Sequence, residues 1–327
     1  MTIRDISALK TDARDALDRC DGQKQLALVY TAGLTGLSLL LTILDYVLSQ
    51  QISGTGGLSQ LGTRTILSTI QSMLPIVQML LMLCWNAGYT IAVLNIIRRR
   101  SADHNTLMSG FPMFFPMLRS ALLECMIYFN ILILSFFLSF QIYMFTPWAK
   151  ELTQLMEPLL PQIMEGSTPV LEDAMVLSLL KSMLPMLLIF CGLYLLLSIP
   201  ISYRLRFSLY CLMDAPRAGA LRAMAASRRM LRGNCWKLFR MDLGFWWYHG
   251  LLALANGIQM LPLLGLVLPQ GYDFTFYLCY GVYLILVSGV YILARNRVEC
   301  TYAAAYETLR EKPQENAVVL GNIFDMQ

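Results

Sequence analysis

The residues of this chain that can do chemistry form no catalytic or metal-binding pattern. The only histidines are His104 and His249, and neither has a Cys, Asp or Glu at the spacing of metal ligands. The eight cysteines include no CxxC pair, so we expect reduced thiols that pack as small apolar side chains. No phosphate-binding glycine loop, dinucleotide fingerprint or nucleophile elbow occurs. We therefore expect no enzymatic activity, no cofactor and no metal.

The most distinctive charged segment is 204–242, which carries nine of the 25 Lys and Arg residues. Within it, 214–233 predicts a basic helix with Asp214 as its N-cap and Gly233 at its end. At ~100° per residue, five arginines fall on one side of this helix, opposite an apolar face: Arg217, Arg222, Arg228, Arg229 and Arg232. Such a helix is expected to lie on a membrane surface and to contact anionic lipid headgroups. Two alternatives are an anchor that only fixes the topology and a docking face for a cytoplasmic partner.

The apolar segments that position these residues are long enough to cross a bilayer. The chain is 57% hydrophobic and 14% charged, whereas soluble domains have about 25% charged residues. Six segments reach the roughly 20 residues that a span needs: about 26–48, 73–97, 121–145, 183–203, 243–268 and 276–294. They do not alternate as barrel strands do, so we predict an all-α, polytopic membrane bundle of six transmembrane helices. Trp236, Trp246 and Trp247 lie beside the fifth and are predicted interfacial anchors.

The distribution of Lys and Arg predicts the orientation of these spans. The segments before span one and after spans two, four and six hold 22 of the basic residues, and the other side holds only Arg64, Lys150 and Lys181. By the positive-inside rule both termini are cytoplasmic. The net charge of +4 then reflects an inner basic face rather than nucleic-acid binding.

The chain is predicted to form a single membrane domain over 1–327, with interfacial amphipathic helices on its cytoplasmic side. The segment 1–25 has helical apolar periodicity and is predicted to be one such helix, and the basic helix 214–233 is another. The segment 295–327 is predicted to be a cytoplasmic tail. The outer loop 146–182 is acidic, and it is either a solvated face or a binding site for a protein partner.

Glu124 is an acidic residue that is predicted to lie within the apolar part of a span. It lies about one turn inside the third span, where an unpaired carboxylate is unfavourable. Arg119 is five residues earlier and therefore on a different helix face. We predict a structural ion pair between Glu124 and Arg204 or Arg206 at the end of the fourth span.

Several local motifs between about 198 and 247 resemble those of one protein family. They are a proline-ended span, an Asp-x-Pro turn and an Arg-rich run before Trp-x-Leu-Phe: Ser198-Ile-Pro-Ile-Ser-Tyr-Arg-Leu-Arg, Asp214-Ala-Pro, Ser227-Arg-Arg-Met-Leu-Arg-Gly-Asn and Trp236-Lys-Leu-Phe. This block resembles the bacterial multi-pass membrane family DUF975, and Tyr302-Ala-Ala-Ala-Tyr-Glu-Thr-Leu is similar to its C-terminal end. The resemblance implies a bacterial plasma membrane and supplies no catalytic residues.

These observations favour a non-enzymatic integral membrane protein that acts through anionic lipids or protein partners. An accessory or envelope-homeostasis factor is the leading interpretation. A small-molecule or lipid transporter is the alternative, because a bundle of six helices can enclose a cavity. Transport proteins commonly carry polar residues near the middle of several spans, and this chain has few.

Overall fold

The computed structural model describes residues 6–20, 22–54, 61–157, 173–261 and 272–311, and every regular element in these ranges is helical. The first half contains α1 (Ile6–Asp18), α2 (Gln23–Gly54), α3 (Leu61–Ile97), α4 (Phe114–Met144), α5 (Pro147–Met156) and α6 (Asp173–Leu205). The second half contains α7 (Ser208–Asp214), α8 (Ala220–Leu231), α9 (Cys235–Leu243), α10 (Trp246–Met260), α11 (Tyr272–Val290) and α12 (Asn296–Glu311). Short 3-10 helices cover His104–Met113 and Pro216–Ala218, and a π-helical turn covers Tyr291–Arg295. The predicted all-α class is confirmed.

Five segments of the described chain are long and apolar enough to cross a membrane, and they support a membrane protein. They are Gln23–Ile52, Gly62–Ile97, His104–Met144, Leu177–Asp214 and Leu278–Arg310. Each contains or overlaps one of the predicted spans. The remaining prediction, 243–268, corresponds to α10, which has only 15 residues. Residues 262–271, which follow soon after it, lie outside the described ranges. A sixth span therefore stays a prediction.

The helices extend beyond the apolar segments that identified them. Helix α3 has 37 residues, which corresponds to about 55 Å at a rise of ~1.5 Å per residue, and the hydrocarbon core is only about 30 Å thick. Its apolar part was predicted to begin at residue 73, and the helix begins twelve residues earlier at Leu61. Pro75 lies inside α3 and does not end it.

The described chain divides into two compact units, residues 121–205 and the remainder. In the smaller unit, Tyr143 near the end of α4 is buried, and its hydroxyl donates to the carbonyl of Ser182 on α6 at 2.9 Å. The same hydroxyl is 3.1 Å from the carbonyl of Trp148 on α5. Ser135 and Ser139 on α4 are fully buried, and Phe136 meets Phe190 edge-on. One tyrosine thus joins all three helices of this unit.

In the larger unit, the 3-10 helix His104–Met113 packs against α3 at two glycines. A Cβ atom at Gly88 would lie 1.9 Å from the carbonyl oxygen of Leu107, and one at Gly110 would lie 2.0 Å from that of Cys84. Such contacts are too short for any side chain, so the two backbones can meet only through glycine. The 3-10 helix then leads directly into α4 at Phe114.

Helix α12 is the centre of the larger unit. It contributes many buried residues, both small and large: Cys300, Tyr302, Ala303, Ala305, Tyr306 and Leu309. Helix α1 packs on it and on α3, and Leu9, Ala13 and Leu17 of α1 are buried. The apolar face of α1 is therefore covered by protein rather than free to enter lipid. The predicted tail 295–327 begins with this buried helix, and residues 312–327 lie outside the described ranges.

Candidate functional site in the larger unit

Arg98 lies immediately after α3 and binds two carboxylates from distant parts of the chain. Its Nη2 atom is 2.8 Å from Asp214 at the end of α7, and its Nε atom donates to Glu307 of α12 at 2.7 Å. The three side chains are 19%, 10% and 13% exposed, respectively. Burial lowers the pKa of Arg98, but its hydrogen bonds to Asp214 and Glu307 outweigh this effect and the pKa is raised. Arg98 therefore stays charged and holds α3, α7 and α12 together.

Two further groups complete this cluster, which we call the Arg98 cluster. The half-exposed Arg310 places Nη1 at 3.3 Å from Asp214 and 3.6 Å from Glu307. The hydroxyl of Tyr306 donates to Asp214 at 2.7 Å. Two arginines thus face two carboxylates, so the charges balance in a site where an unpaired charge would be costly.

A second partly buried cation, Arg295, lies in the π-helical turn between α11 and α12. Its guanidinium carbon is 4.5, 5.1 and 4.4 Å from the ring centroids of Tyr30, Tyr89 and Tyr291. Its Nη2 donates to the side-chain oxygen of Asn86 at 3.1 Å, and the Tyr30 hydroxyl donates to the same oxygen. The Nε atom is buried without a hydrogen-bond partner among the described residues. Three electron-rich ring faces therefore supply much of the stabilisation of this charge.

The neighbouring residue Asn296 connects the same region to α2 and α3. Its side-chain oxygen accepts from the Tyr89 hydroxyl at 2.6 Å, and its amide nitrogen donates to the backbone oxygen of Gln23 at 2.8 Å. Trp85 of α3 also donates to the carbonyl of Tyr30 at 3.0 Å. The start of α12 is thus fixed by hydrogen bonds to two other helices.

The predicted basic helix exists as α8, but it begins later than expected. Asp214 does not cap it, because this carboxylate belongs to the Arg98 cluster at the end of α7. Pro216–Ala218 forms a separate 3-10 turn, and Gly219 with φ +84° starts α8 at Ala220. The predicted stop is consistent with Gly233, which also has φ +84°. Such backbone angles favour glycine, so two glycines bound the helix.

One side of α8 is packed against the protein, mainly α7, and the other side is basic and exposed. The buried side consists of Ala220, Ala223, Met224, Ser227, Met230 and Leu231. The backbone N–H of Phe207 donates to Ser227 Oγ at 3.2 Å. All five predicted lipid-contacting residues are exposed: Arg217, Arg222, Arg228, Arg229 and Arg232. We name these five the arginine surface.

The three predicted tryptophan anchors also lie on the protein surface. Trp236, Trp246 and Trp247 are 67%, 71% and 43% exposed. Trp236 stacks on Phe239, with ring centroids 5.2 Å apart. Their exposure is compatible with an interfacial position, which stays a prediction.

One of the residues predicted to pair with Glu124, Arg206, contacts an aromatic ring. Arg206 places its guanidinium 4.3 Å from the ring centroid of Tyr302, and the Tyr302 hydroxyl is hydrogen-bonded to Asp242. The pairing of Glu124 with Arg204 or Arg206 stays a prediction. Sequence reasoning did not identify Arg98 or Arg295 as buried centres. The sequence did contain a signal for the partner of Arg98. Glu307 stands in an Ala- and Tyr-rich segment that is expected to be buried, and a buried carboxylate requires a cationic partner.

The sequence model of DUF975, described as a protein of unknown function, matches residues 3–312. No curated protein and no solved structure matches the chain.

We predict that Arg98 and Glu307 are energetically coupled. Arg98→Met or Glu307→Gln alone should lower the free energy of unfolding by roughly 2–3 kcal/mol, somewhat less than for a fully buried pair. The double substitution should cost roughly 1–2 kcal/mol less than the sum, because neither charge is then left without its partner. Unfolding in mixed detergent micelles would measure these values.

The exposed pair Arg14–Asp18 provides the control for this cycle. Its nitrogen–oxygen distance is 3.8 Å and its side chains are 79% and 65% exposed. Arg14→Gln should change the free energy of unfolding by less than about 0.5 kcal/mol. Additive effects of Arg98→Met and Glu307→Gln would show that the two residues are not energetically coupled and would contradict the prediction.

Proposed function

The chain belongs to the DUF975 family, whose description assigns no function, and we propose that this protein is a non-enzymatic integral membrane protein acting through anionic lipids. The observation that carries the proposal is the arginine surface. Five arginines are exposed along α8 and its ends, while the opposite side of the helix is buried in the protein. We further propose an accessory or envelope-homeostasis role in a bacterial plasma membrane, with both termini in the cytoplasm.

The physical basis is electrostatic attraction rather than insertion of an amphipathic helix. The apolar side of α8 contacts the protein and is not free to enter the bilayer. Each arginine near an anionic membrane surface contributes about 1 kcal/mol to the free energy of binding. Leu221 and Trp236 are exposed close to the same surface and add apolar area at the interface. A helix already folded on the protein loses little entropy when it meets the membrane.

We predict that the arginine surface determines which lipids stabilise the protein. Replacing Arg222, Arg228 and Arg229 by Gln should remove most of the increase in thermal stability that phosphatidylglycerol gives in maltoside micelles. Phosphatidylcholine should have a small effect on both proteins, and salt should weaken the phosphatidylglycerol effect because it screens exposed charges.

The matched control removes three exposed basic residues elsewhere in the chain: Arg64, Lys150 and Lys181. This variant has the same net charge as the α8 variant, and its response to phosphatidylglycerol should remain that of the wild type. Equal losses in both variants would mean that only net charge matters. An unchanged response in the α8 variant would contradict the proposal.

A protein partner on the opposite side of the membrane is a further part of the proposal. It would bind the acidic segment 146–182, where Glu151 and Glu157 are exposed on and after α5. Residues 158–172 of this segment lie outside the described ranges.

One observation favours transport as a second candidate function. Arg295 is a partly buried cation within the apolar segment Leu278–Arg310, and charged residues inside spans commonly line transport pathways. The π-helical turn at Tyr291–Arg295 adds to this argument, because such turns are frequent at functional sites. Under the leading proposal, Arg295 instead stabilises the junction of α2, α3 and α12.

Single cysteines in a cysteine-free background test both the orientation and the transport alternative. In intact cells an impermeant, charged thiol reagent should label Glu151→Cys. It should label Asp103→Cys only after permeabilisation. Ser288→Cys, about 10 Å along the helix from Arg295 at ~1.5 Å per residue, should remain unlabelled in both cases. Labelling of Asp103→Cys in intact cells would reverse the orientation, and labelling of Ser288→Cys would indicate a water-filled path and favour transport.

A further inference from the structure

A groove between α1 and the end of α3 contains charges that neither the Arg98 cluster nor the arginine surface uses. One part is a cavity of about 380 Å³ whose walls include Arg19, Arg99 and Arg100. A second cavity of about 470 Å³ has Asp12 and Asp15 on its α1 side, and Arg98 and Glu307, which pair with each other, on its opposite side. Both cavities share Ala16, Arg19 and Arg99, so they are neighbouring halves of one groove. We call them the basic half and the acidic half.

The arginines of the basic half are not occupied by internal partners. No ion pair or side-chain hydrogen bond joins Arg19, Arg99 or Arg100 to another residue in the described ranges. By contrast, the adjacent Arg98 is fully engaged with Asp214 and Glu307. The exposed carboxylate of Asp103 also lines this cavity, so three cations face one anion there. This excess of positive charge in a concavity produces a stronger positive potential than the same charges on a flat face.

The backbone at the end of α3 does not cancel this positive potential. A helix C-terminus is ordinarily negative because its last carbonyls lack partners. Here the backbone N–H groups of Arg98, Arg99 and Arg100 donate to the carbonyls of Leu94, Ile96 and Asn95 at 2.9, 3.1 and 2.8 Å. The carbonyls are thus satisfied by the backbone, and the side chains remain available for a ligand.

Arg99 adopts a backbone conformation that is unfavourable for arginine and usual for glycine. Its φ is +56°, and it is the only non-glycine residue with positive φ in the described chain. Glycine adopts this conformation freely at helix ends, whereas a side chain makes it strained. The strain does not define a site by itself. It does mean that replacing Arg99 by glycine should remove the side chain without destabilising the fold, so the effect of Arg99 on binding can be measured separately.

We infer that the basic half binds a phosphate group and that the acidic half accommodates an ammonium group attached to it. Guanidinium groups bind phosphate oxygens through paired N–H donors, and Arg19, Arg99 and Arg100 surround one cavity of suitable size. Asp15 is exposed in the adjoining half, one helical turn before Arg19, and supplies a carboxylate for the cation. The ligand class is therefore an aminoalkyl phosphate, either as a phosphoethanolamine lipid headgroup or as a free phosphate ester.

This site goes beyond the lipid-binding role proposed for α8, because it is concave and selects a ligand by two opposite charges. It uses none of the five residues of the arginine surface. The two proposals can therefore fail independently.

The test uses the full-length protein in maltoside micelles, with phosphoethanolamine, glycerol phosphate, inorganic phosphate and short-chain phosphatidylethanolamine as probes. Calorimetric titration should show binding of phosphoethanolamine at least tenfold tighter than that of glycerol phosphate. Arg19→Gln and Arg100→Gln should each weaken phosphoethanolamine binding at least tenfold. Tighter binding of the short-chain lipid would identify a membrane headgroup as the source, and binding of the soluble ester alone would identify a free ligand.

Arg99→Gly is the decisive variant. Without ligand it should melt at the same or a higher temperature than the wild type, because glycine relieves the backbone strain. It should nevertheless bind phosphoethanolamine at least tenfold more weakly. The exposed Arg64 lies outside both the groove and the arginine surface, so Arg64→Gln removes the same charge and should bind as the wild type does.

Specific binding results would overturn the inference. Wild-type affinity of Arg99→Gly for phosphoethanolamine, or equal weakening by Arg64→Gln, would exclude a phosphate site in the basic half. Equal affinity of the wild type for glycerol phosphate and phosphoethanolamine would exclude the role of the acidic half. If Arg99→Gly has a lower thermal stability, Arg19→Gln and Arg100→Gln decide: tenfold weaker binding supports the inference, and wild-type affinity of both overturns it.

Discussion

The ion pairs of Arg98 with Asp214 and Glu307 are the constraint on which the larger unit depends. They join residues that are separated by more than 100 and 200 positions and place the ends of α3 and α7 against α12. Because α8 follows α7 after one 3-10 turn, the same interaction sets where the arginine surface begins. The balance of two arginines and two carboxylates keeps this junction neutral, which allows it to be largely buried.

The four basic regions of the larger unit stabilise their positive charges in different ways. The Arg98 cluster neutralises its cations with carboxylates, and Arg295 is stabilised by tyrosine faces and one amide oxygen. The arginine surface and the basic half of the groove leave their guanidinium groups exposed. Internal charges thus serve packing, while the exposed ones are available to a phosphate-rich surface or ligand. This division underlies the proposal that the protein acts through lipids.

The sequence predicted those features that depend on local pattern. Length and hydropathy identified five segments that match apolar helices, and the 3.6-residue period identified the basic helix with its exposed arginines. The stop at Gly233 followed from the preference of glycine for positive φ. The positions of α1 and α12 were not predicted, because their apolar faces are buried by residues distant in the sequence. Asp214 was interpreted as a helix cap for the same reason: its partners Arg98 and Arg310 are far away along the chain.

The central claim is that α8 is folded on the protein before it meets lipid, so that its arginines form a fixed surface. Hydrogen exchange of the backbone amides of Ala220–Leu231, measured in maltoside micelles without anionic lipid, tests this most directly. We expect slow exchange, close to that of α12, because the buried side of α8 packs on α7. Exchange at the rate of an unstructured peptide, slowed only when phosphatidylglycerol is added, would mean that lipid folds the helix and would contradict the claim.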